Sequence, residues 1–306
     1  MLMLRGRVDL LLLAVAVVWG SSYLAAKSLV VVGGVLAVLA LRFLVTVLAM
    51  APVVMARRPP RPGRRELAVG ALLGLTQAAV LVLETYGVSL TSATNAGVLI
   101  SLTILLTPAL EGALTRRRLP GRFFLTAAVA FAGVVLLVAG PGLRPPSTGD
   151  ALMLAAAVVR TVHVTLSGHL TRGRDYDTVT LTAMQTLVGA IVFTIAAAPV
   201  LAVTVRAFEP VHWLGVVYLA VGCSLFAFLV QLWAVRRTSA SRAGLLLGTE
   251  PVWAVLIGVG LGGEHLTATT LLGIVLVLAG AHFGLRIEAQ HRAAAPPATD
   301  RALLPA

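Results

Sequence analysis

Runs of about 20 apolar residues, the length a helix needs to cross a bilayer, recur along this chain from Val8 to Arg286. Ten can be placed, at 8–28, 32–56, 66–88, 92–115, 121–140, 149–171, 178–201, 212–235, 239–262 and 267–286. Hydrocarbon cannot satisfy a bare peptide group, so segments of this length and character must be helices. The breaks between them carry turn chemistry: Pro59-Pro60, Pro62-Gly63, Pro120-Gly121, Pro141-Gly142, Pro145-Pro146 and Glu209-Pro210. Composition agrees. The 306 residues are 58% hydrophobic and 12% charged, whereas a soluble domain averages about 45–50% apolar and 25% charged. The expected fold class is an all-α integral membrane protein of ten transmembrane helices. Arg5 and Arg7 ahead of Val8–Ala26 imitate a signal peptide, but the run is long enough to span and is read as a retained first helix. Cys223 stands alone inside an apolar run, so no internal disulfide can form.

A formal charge of +12 would suggest nucleic acid in a soluble protein. Here the arginines sit in short loops between spans, and the positive-inside rule applies instead. With the N-terminus in the cytoplasm, 19 arginines fall on the inner side. Only Lys27, Arg144 and Arg206 fall outside, while Arg42 and Arg160 lie within spans. Both termini are therefore expected in the cytoplasm, with residues 287–306 as a disordered tail.

The chain also repeats itself. Thr91-Ser92-Ala93-Thr94-Asn95-Ala96-Gly97 resembles Thr238-Ser239-Ala240-Ser241-Arg242-Ala243-Gly244 at an offset of 147 residues. The same offset pairs Leu119 with Leu266 and Ala132-Gly133 with Ala279-Gly280. Each unit holds five helices, an odd number, so the second must be inverted. Loop charges swap sides accordingly: Ser89-Leu90 corresponds to Arg236-Arg237, and Arg116–Arg118 to Gly263-Glu264-His265. The expected units are 8–142 and 149–286. Inverted repeats are typical of secondary transporters, which hold substrate between the halves near the midplane.

Ionisable residues inside spans cost about 2.5–3.5 kcal/mol each on insertion scales, so each needs a partner or a task. Glu250 falls about halfway along the ninth span beside Pro251, whose missing N–H would free the carbonyl of Leu247. A carboxylate at a loosened turn suits a substrate or proton site, with Pro251 as hinge. Arg42 lies midway along the second span and is expected to act as a structural clamp or a substrate contact. Arg160 and His163 share a face of the sixth span at i, i+3; the first can hold a carboxylate or phosphate, the second titrates near neutral pH in water. Glu84 and Gln231 are related by the offset and could form paired gates. Trp19 and Tyr23, at i, i+4, face either the cavity or the sixth span. Gln77, Asn95 and Gln185 read as hydrogen-bonding links between helices, and Gly70/Gly74 and Gly280/Gly284 as packing positions.

Trp19-Gly20-Ser21-Ser22-Tyr23, Leu41-Arg42-Phe43, the two Thr-Ser-Ala segments and Glu250-Pro251-Val252, in this order and spacing, resemble the EamA family of the drug/metabolite transporter superfamily. The resemblance covers roughly residues 8–286. It implies ten helices, a central cavity lined by both halves, and movement of amino acids, other metabolites or drugs, often outward. Two departures stand out. Ile104 occupies a position where the family often has proline, with Pro108 one turn on as a substitute hinge. Arg160-Thr161-Val162-His163 replaces an aromatic patch in the sixth span.

The expected function is gradient-driven export of small molecules across the inner membrane, with the bilayer, a substrate and in one option a second copy of the chain as partners. No nucleic acid, metal or cofactor is expected. The sequence lacks His-Glu-x-x-His, Gly-x-Ser-x-Gly and Gly-x-x-x-x-Gly-Lys, which argues against an enzyme and against ATP-driven transport. The alternative is a non-transporting membrane sensor or assembly partner. The charge asymmetry makes a direct prediction: a reporter fused at the C-terminus registers as cytoplasmic, and one fused near Arg144 as external. A cytoplasmic signal near Arg144 would rule out the ten-helix arrangement.

Overall fold

The computed structural model describes residues 2–59, 61–114, 119–139, 147–237 and 247–294. Among them every regular element is a helix: α1 (Leu2–Gly33), α2 (Val35–Arg57), α3 (Arg64–Leu90), α4 (Ala93–Ile100), α5 (Thr103–Leu114), α6 (Gly121–Ala139), α7 (Thr148–Thr171), α8 (Thr178–Ala207), α9 (Pro210–Val217), α10 (Ala227–Arg237), α11 (Glu250–Gly260) and α12 (Ala268–Ala294). A nine-residue π-helix, Tyr218–Phe226, joins α9 to α10 in one rod. Eight helical stretches are long and apolar enough to cross a membrane, and α6 and α11 supply two shorter apolar ones. The starts are capped locally. Ser92 accepts from Asn95 N at 2.9 Å, Ser147 from Asp150 N at 3.0 Å and Asp177 from Thr180 N at 2.8 Å, which satisfies donors that lipid would leave bare. Gly34, at φ 72°, makes the turn between α1 and α2.

The outward surface is apolar. Val31, Leu48, Leu125, Ile195 and Leu214 are all more than two-thirds exposed, as a surface bathed in hydrocarbon requires and a soluble surface would not tolerate. The helix ends gather on two opposite faces. On one, Lys27 Nζ donates to Thr91 O at 2.7 Å and Thr91 Oγ1 donates to Asp150 Oδ1 at 2.7 Å. There too Glu264, in the α11–α12 connection, accepts from the N–H groups of Ala93 and Thr94 at 2.7 and 3.0 Å. On the other face Glu66 accepts from Asp177 N at 2.7 Å, and Arg236 donates to Thr178 Oγ1 and Arg174 O at 2.7 and 3.1 Å.

The packing has a two-fold pattern. α2 lies along α8, and α6 along α12. α1 packs on α11 as α4 and α5 pack on α7. α3 packs on α7 and α8, while the π-helical rod packs on α1 and α2. Exchanging the first five spans with the last five maps α2/α8 and α6/α12 onto themselves and each of the other pairs onto another. Pro52 inside α2 and Pro199 inside α8 are 147 residues apart, as in the sequence repeat.

Three sequence expectations need correction. The fourth span is two helices, broken at Ser101-Leu102, where Ser101 N reaches Val98 O and Leu102 N reaches Leu99 O, each at 3.2 Å, in tight i→i−3 bonds. The break therefore precedes Pro108, which lies buried within α5. The ninth span is likewise interrupted: Gly248-Thr249 form a turn and α11 begins at Glu250. Pro251 sits in the first turn, where its missing N–H would be unpaired anyway, so it starts a helix instead of bending one. The two breaks are again 147 residues apart. Finally, α12 runs to Ala294, into the expected tail, because Ile287 to Ala289 continue a helix-favouring sequence. Residues 238–244 of the second repeat motif, Arg116–Arg118, Arg144 and 295–306 lie outside the described residues.

Small residues set the closest approaches. A Cβ at Gly133 would fall 2.7 Å from Gly273 O and Val277 N of α12, and one at Gly280 would fall 2.6 Å from Thr126 O of α6. Gly70 and Gly74 bring α3 against Met184 and Val188 of α8 in the same way. Gly280→Val should therefore force α6 and α12 apart at about 1–3 kcal/mol, read as a lower Tm of the detergent-purified protein. Gly121→Ala, with nothing within 4 Å of its Cβ, should leave Tm unchanged.

Candidate functional site

Both broken helices end against the centre of the bundle, and there the second half-helix of the ninth span presents Glu250 at its N-terminus. That position lies at the positive end of the helix dipole, which favours negative charge. α1 reaches it because of Gly20, whose Cβ would lie 2.6 Å from Trp253 Cβ and 2.7 Å from Glu250 O. This contact sets Trp19 and Tyr23, on the adjoining face of α1, beside the carboxylate.

Four side chains, Tyr23 and Glu250 buried and Glu84 and Arg160 partly buried, form a compact polar network. Arg160 Nη2 lies 3.2 Å from Glu250 Oε2, and Arg160 Nη1 lies 3.7 Å from Glu84 Oε1. Tyr23 OH donates to Glu250 Oε1 and lies 3.3 Å from Glu84 Oε1. Trp19 stacks on the guanidinium, with Arg160 Cζ 4.7 Å from its ring centroid, and donates Nε1–H to Cys223 O at 3.0 Å. One cation thus serves two carboxylates from different helices, and a tyrosine hydroxyl bridges the same pair. An arrangement of this kind can change its charge by one proton and repartition Arg160 between the acids.

A cavity opens on this network and touches α1, α2, α3, α7, α10 and α11. Trp19, Tyr23, Arg42, Glu84, Arg160, His163, Gln231 and Glu250 all line it. The sequence-derived site residues therefore converge, apart from Pro108 and Pro251. A second space continues from it towards Ser167 and Gln185, sharing Gln77, His163, Val164, Phe228 and Gln231 as common wall. His163 does not join Arg160's network: its Nδ1 lies 2.8 Å from Thr76 Oγ1. The Thr76 hydroxyl donates to Leu73 O at 3.0 Å, so it must accept from the imidazole, which places the proton on Nδ1.

Gln77 and Gln185, expected as interhelical links, make no hydrogen bond among the described residues and instead line the two spaces. Arg42 donates Nε–H to Ser224 Oγ at 2.8 Å. Ser224 and the Cys223 carbonyl lie in the π-helix, a feature that no sequence signal announced. A wide turn loosens the usual ladder and leaves carbonyls free to accept from other helices, as Ala220 O does from Thr46 at 3.3 Å. Among the described residues no group of three or more His, Cys, Asp or Glu side chains is placed to hold a metal ion.

The geometry predicts a specific non-additivity. Arg160→Met leaves two carboxylates without their cation in a largely buried site, and breaking a buried pair in this way costs about 3–5 kcal/mol. Adding Glu250→Gln to that variant should recover much of the lost Tm. Additive losses in thermal melts of the purified proteins would mean that the ion pair does not hold this site together.

The comparisons with known proteins agree with this architecture. A family model described as the EamA-like transporter family matches residues 6–139 and again 147–285. An uncharacterised transporter from Archaeoglobus fulgidus is 27% identical over 236 residues, 74% of this chain and 77% of that protein. A solved crystal structure, of 21% sequence identity, superposes with a TM-score of 0.64 over 95% of this chain and 99% of its own, and so shares the fold. With the match repeated over both halves, the chain belongs to the EamA-like transporter family, within the drug/metabolite transporter superfamily, and is a multi-pass membrane transporter.

Proposed function

We propose that this protein is a gradient-driven exporter of small metabolites, amino acids or drugs, working by alternating access between two inverted five-helix halves, 8–142 and 149–286. It sits in the cell membrane with both termini in the cytoplasm. The observation that carries this reading is the placement of Glu250 at the start of a half-helix, in the central cavity, sharing Arg160 with Glu84. Broken helices at the midplane are where secondary transporters hold substrate and coupling ions. The two-fold packing and the arginine-rich loops on one face support the inverted arrangement and its orientation.

In this reading Glu250 is the coupling carboxylate. While it is ionised, Arg160 and Tyr23 hold it, and α11 is tied to α1 and α7. When a proton neutralises it, the cation is left to Glu84, and α11 is freed from α7. Glu84 and Gln231 act as gates at related positions of the two halves, and Trp19 and His163 shape the substrate's path. The halves are unequal at the decisive position, since Thr103 occupies the place of Glu250 at the start of α5. One wall is therefore titratable and the other is not.

Glu250→Gln keeps shape and hydrogen bonding but removes the charge. The expected outcome in proteoliposomes is normal insertion, loss of proton-driven net transport, and surviving substrate exchange. Loss of exchange as well would move Glu250 from coupling to substrate contact. Full gradient-driven activity would reduce Glu250 to a link between helices.

A further inference from the structure

We propose that Arg42 is the anion-binding point of the central cavity, and that the cavity takes a small organic monocarboxylate with an apolar body. This rests on the reading of the cavity as the transport path and names the chemistry of what travels through it. Two arginines line the space, and they differ in one respect. Arg160 is engaged by Glu250 and Glu84. Arg42 is only 5% exposed, and its one hydrogen bond as donor is from Nε to Ser224 Oγ, at 2.8 Å. Among the described residues no carboxylate pairs with it, and Nη1 and Nη2 have no hydrogen-bond partner. Those two nitrogens are not sealed in the protein either, unlike the buried and unpartnered Trp253 Nε1. A guanidinium is always charged, and the Nη edge of Arg42 borders the cavity while only Ser224 engages its side chain.

The free edge selects among anions. With Nε committed to Ser224, the two Nη groups offer parallel N–H donors, the arrangement that takes a planar carboxylate in bidentate fashion. Charge selects further. Glu84 and Glu250 also border the cavity, so a second negative charge on the ligand would meet repulsion from both acids, which disfavours a phosphate dianion relative to a monocarboxylate. Phe228, Val80 and Val88 supply apolar wall for the body of the ligand.

The test is direct binding to the full-length protein purified in detergent, by calorimetry, with phenylacetate, phenylacetamide and benzylphosphonate as probes. Phenylacetate should bind saturably, and the amide and the phosphonate at least about tenfold more weakly. Arg42→Gln should lose at least about tenfold in phenylacetate affinity, and Arg42→Lys should fall between. The comparison of acid with amide on the wild-type protein decides the matter even if Arg42→Gln fails to fold. Equal binding of acid and amide, no carboxylate binding at millimolar concentration, or wild-type affinity in Arg42→Gln would each overturn the assignment. Proteoliposomes separate this from the transporter reading. Carboxylate binding without movement of any solute would sink transport and leave the site. Movement of a solute that phenylacetate does not inhibit would sink the site and leave transport.

Discussion

Lipid offers no hydrogen bond and little dielectric screening, and each polar element of this protein is an answer to that constraint. Backbone groups are closed into helices, helix starts are capped by Ser92, Ser147 and Asp177, and the outer surface is left to apolar side chains. What cannot be exposed to hydrocarbon is collected in the centre. Arg42, Glu84, Arg160, His163 and Glu250, drawn from four helices, all border one cavity. The same constraint explains where the backbone is irregular. Ser101-Leu102, Gly248-Thr249 and the π-helical stretch depart from the α ladder in the interior, where other helices can take up the freed groups.

Much of this was legible in the sequence because its signals are local or periodic. Spans are read from apolar length, and the repeat from a constant offset that the structure shows again in Pro52 and Pro199 and in the paired breaks. The ionisable residues were identifiable because their cost in lipid demands a reason. Their partners were not, since Arg160 meets Glu250 across 90 positions of chain and Tyr23 meets it across 227. Pro108 and Pro251 misled for a shared reason: proline announces that a helix is interrupted nearby, but whether it bends, ends or starts one depends on neighbours. Gln77 and Gln185 misled because an amide inside a span is equally suited to bridge helices or to face a water-filled space.

Gly20 shows how a motif can matter through what it lacks. Trp19 and Tyr23 look like the chemical content of their segment, yet they meet Arg160 and Glu250 only because α1 can press against the start of α11. That approach needs a residue without a side chain at position 20. The polar network is held at this distance by packing, and the packing is held by the pairing of charges. Neither could be altered alone without loss of the other.

The two-fold pattern and its defects bear on the energy of the cycle. If the halves were identical, exchanging their conformations would turn the inward-open form into the outward-open one at equal energy, and the empty protein would be poised between them. The halves are not identical. α3 is regular throughout, whereas its counterpart in the second half holds the nine-residue π-helix. Glu84 stands opposite Gln231, and Thr103 opposite Glu250. Each difference lifts the degeneracy of the two end states. On the alternating-access reading proposed above, a carrier of this build would have a resting side written into its sequence before any gradient acted on it.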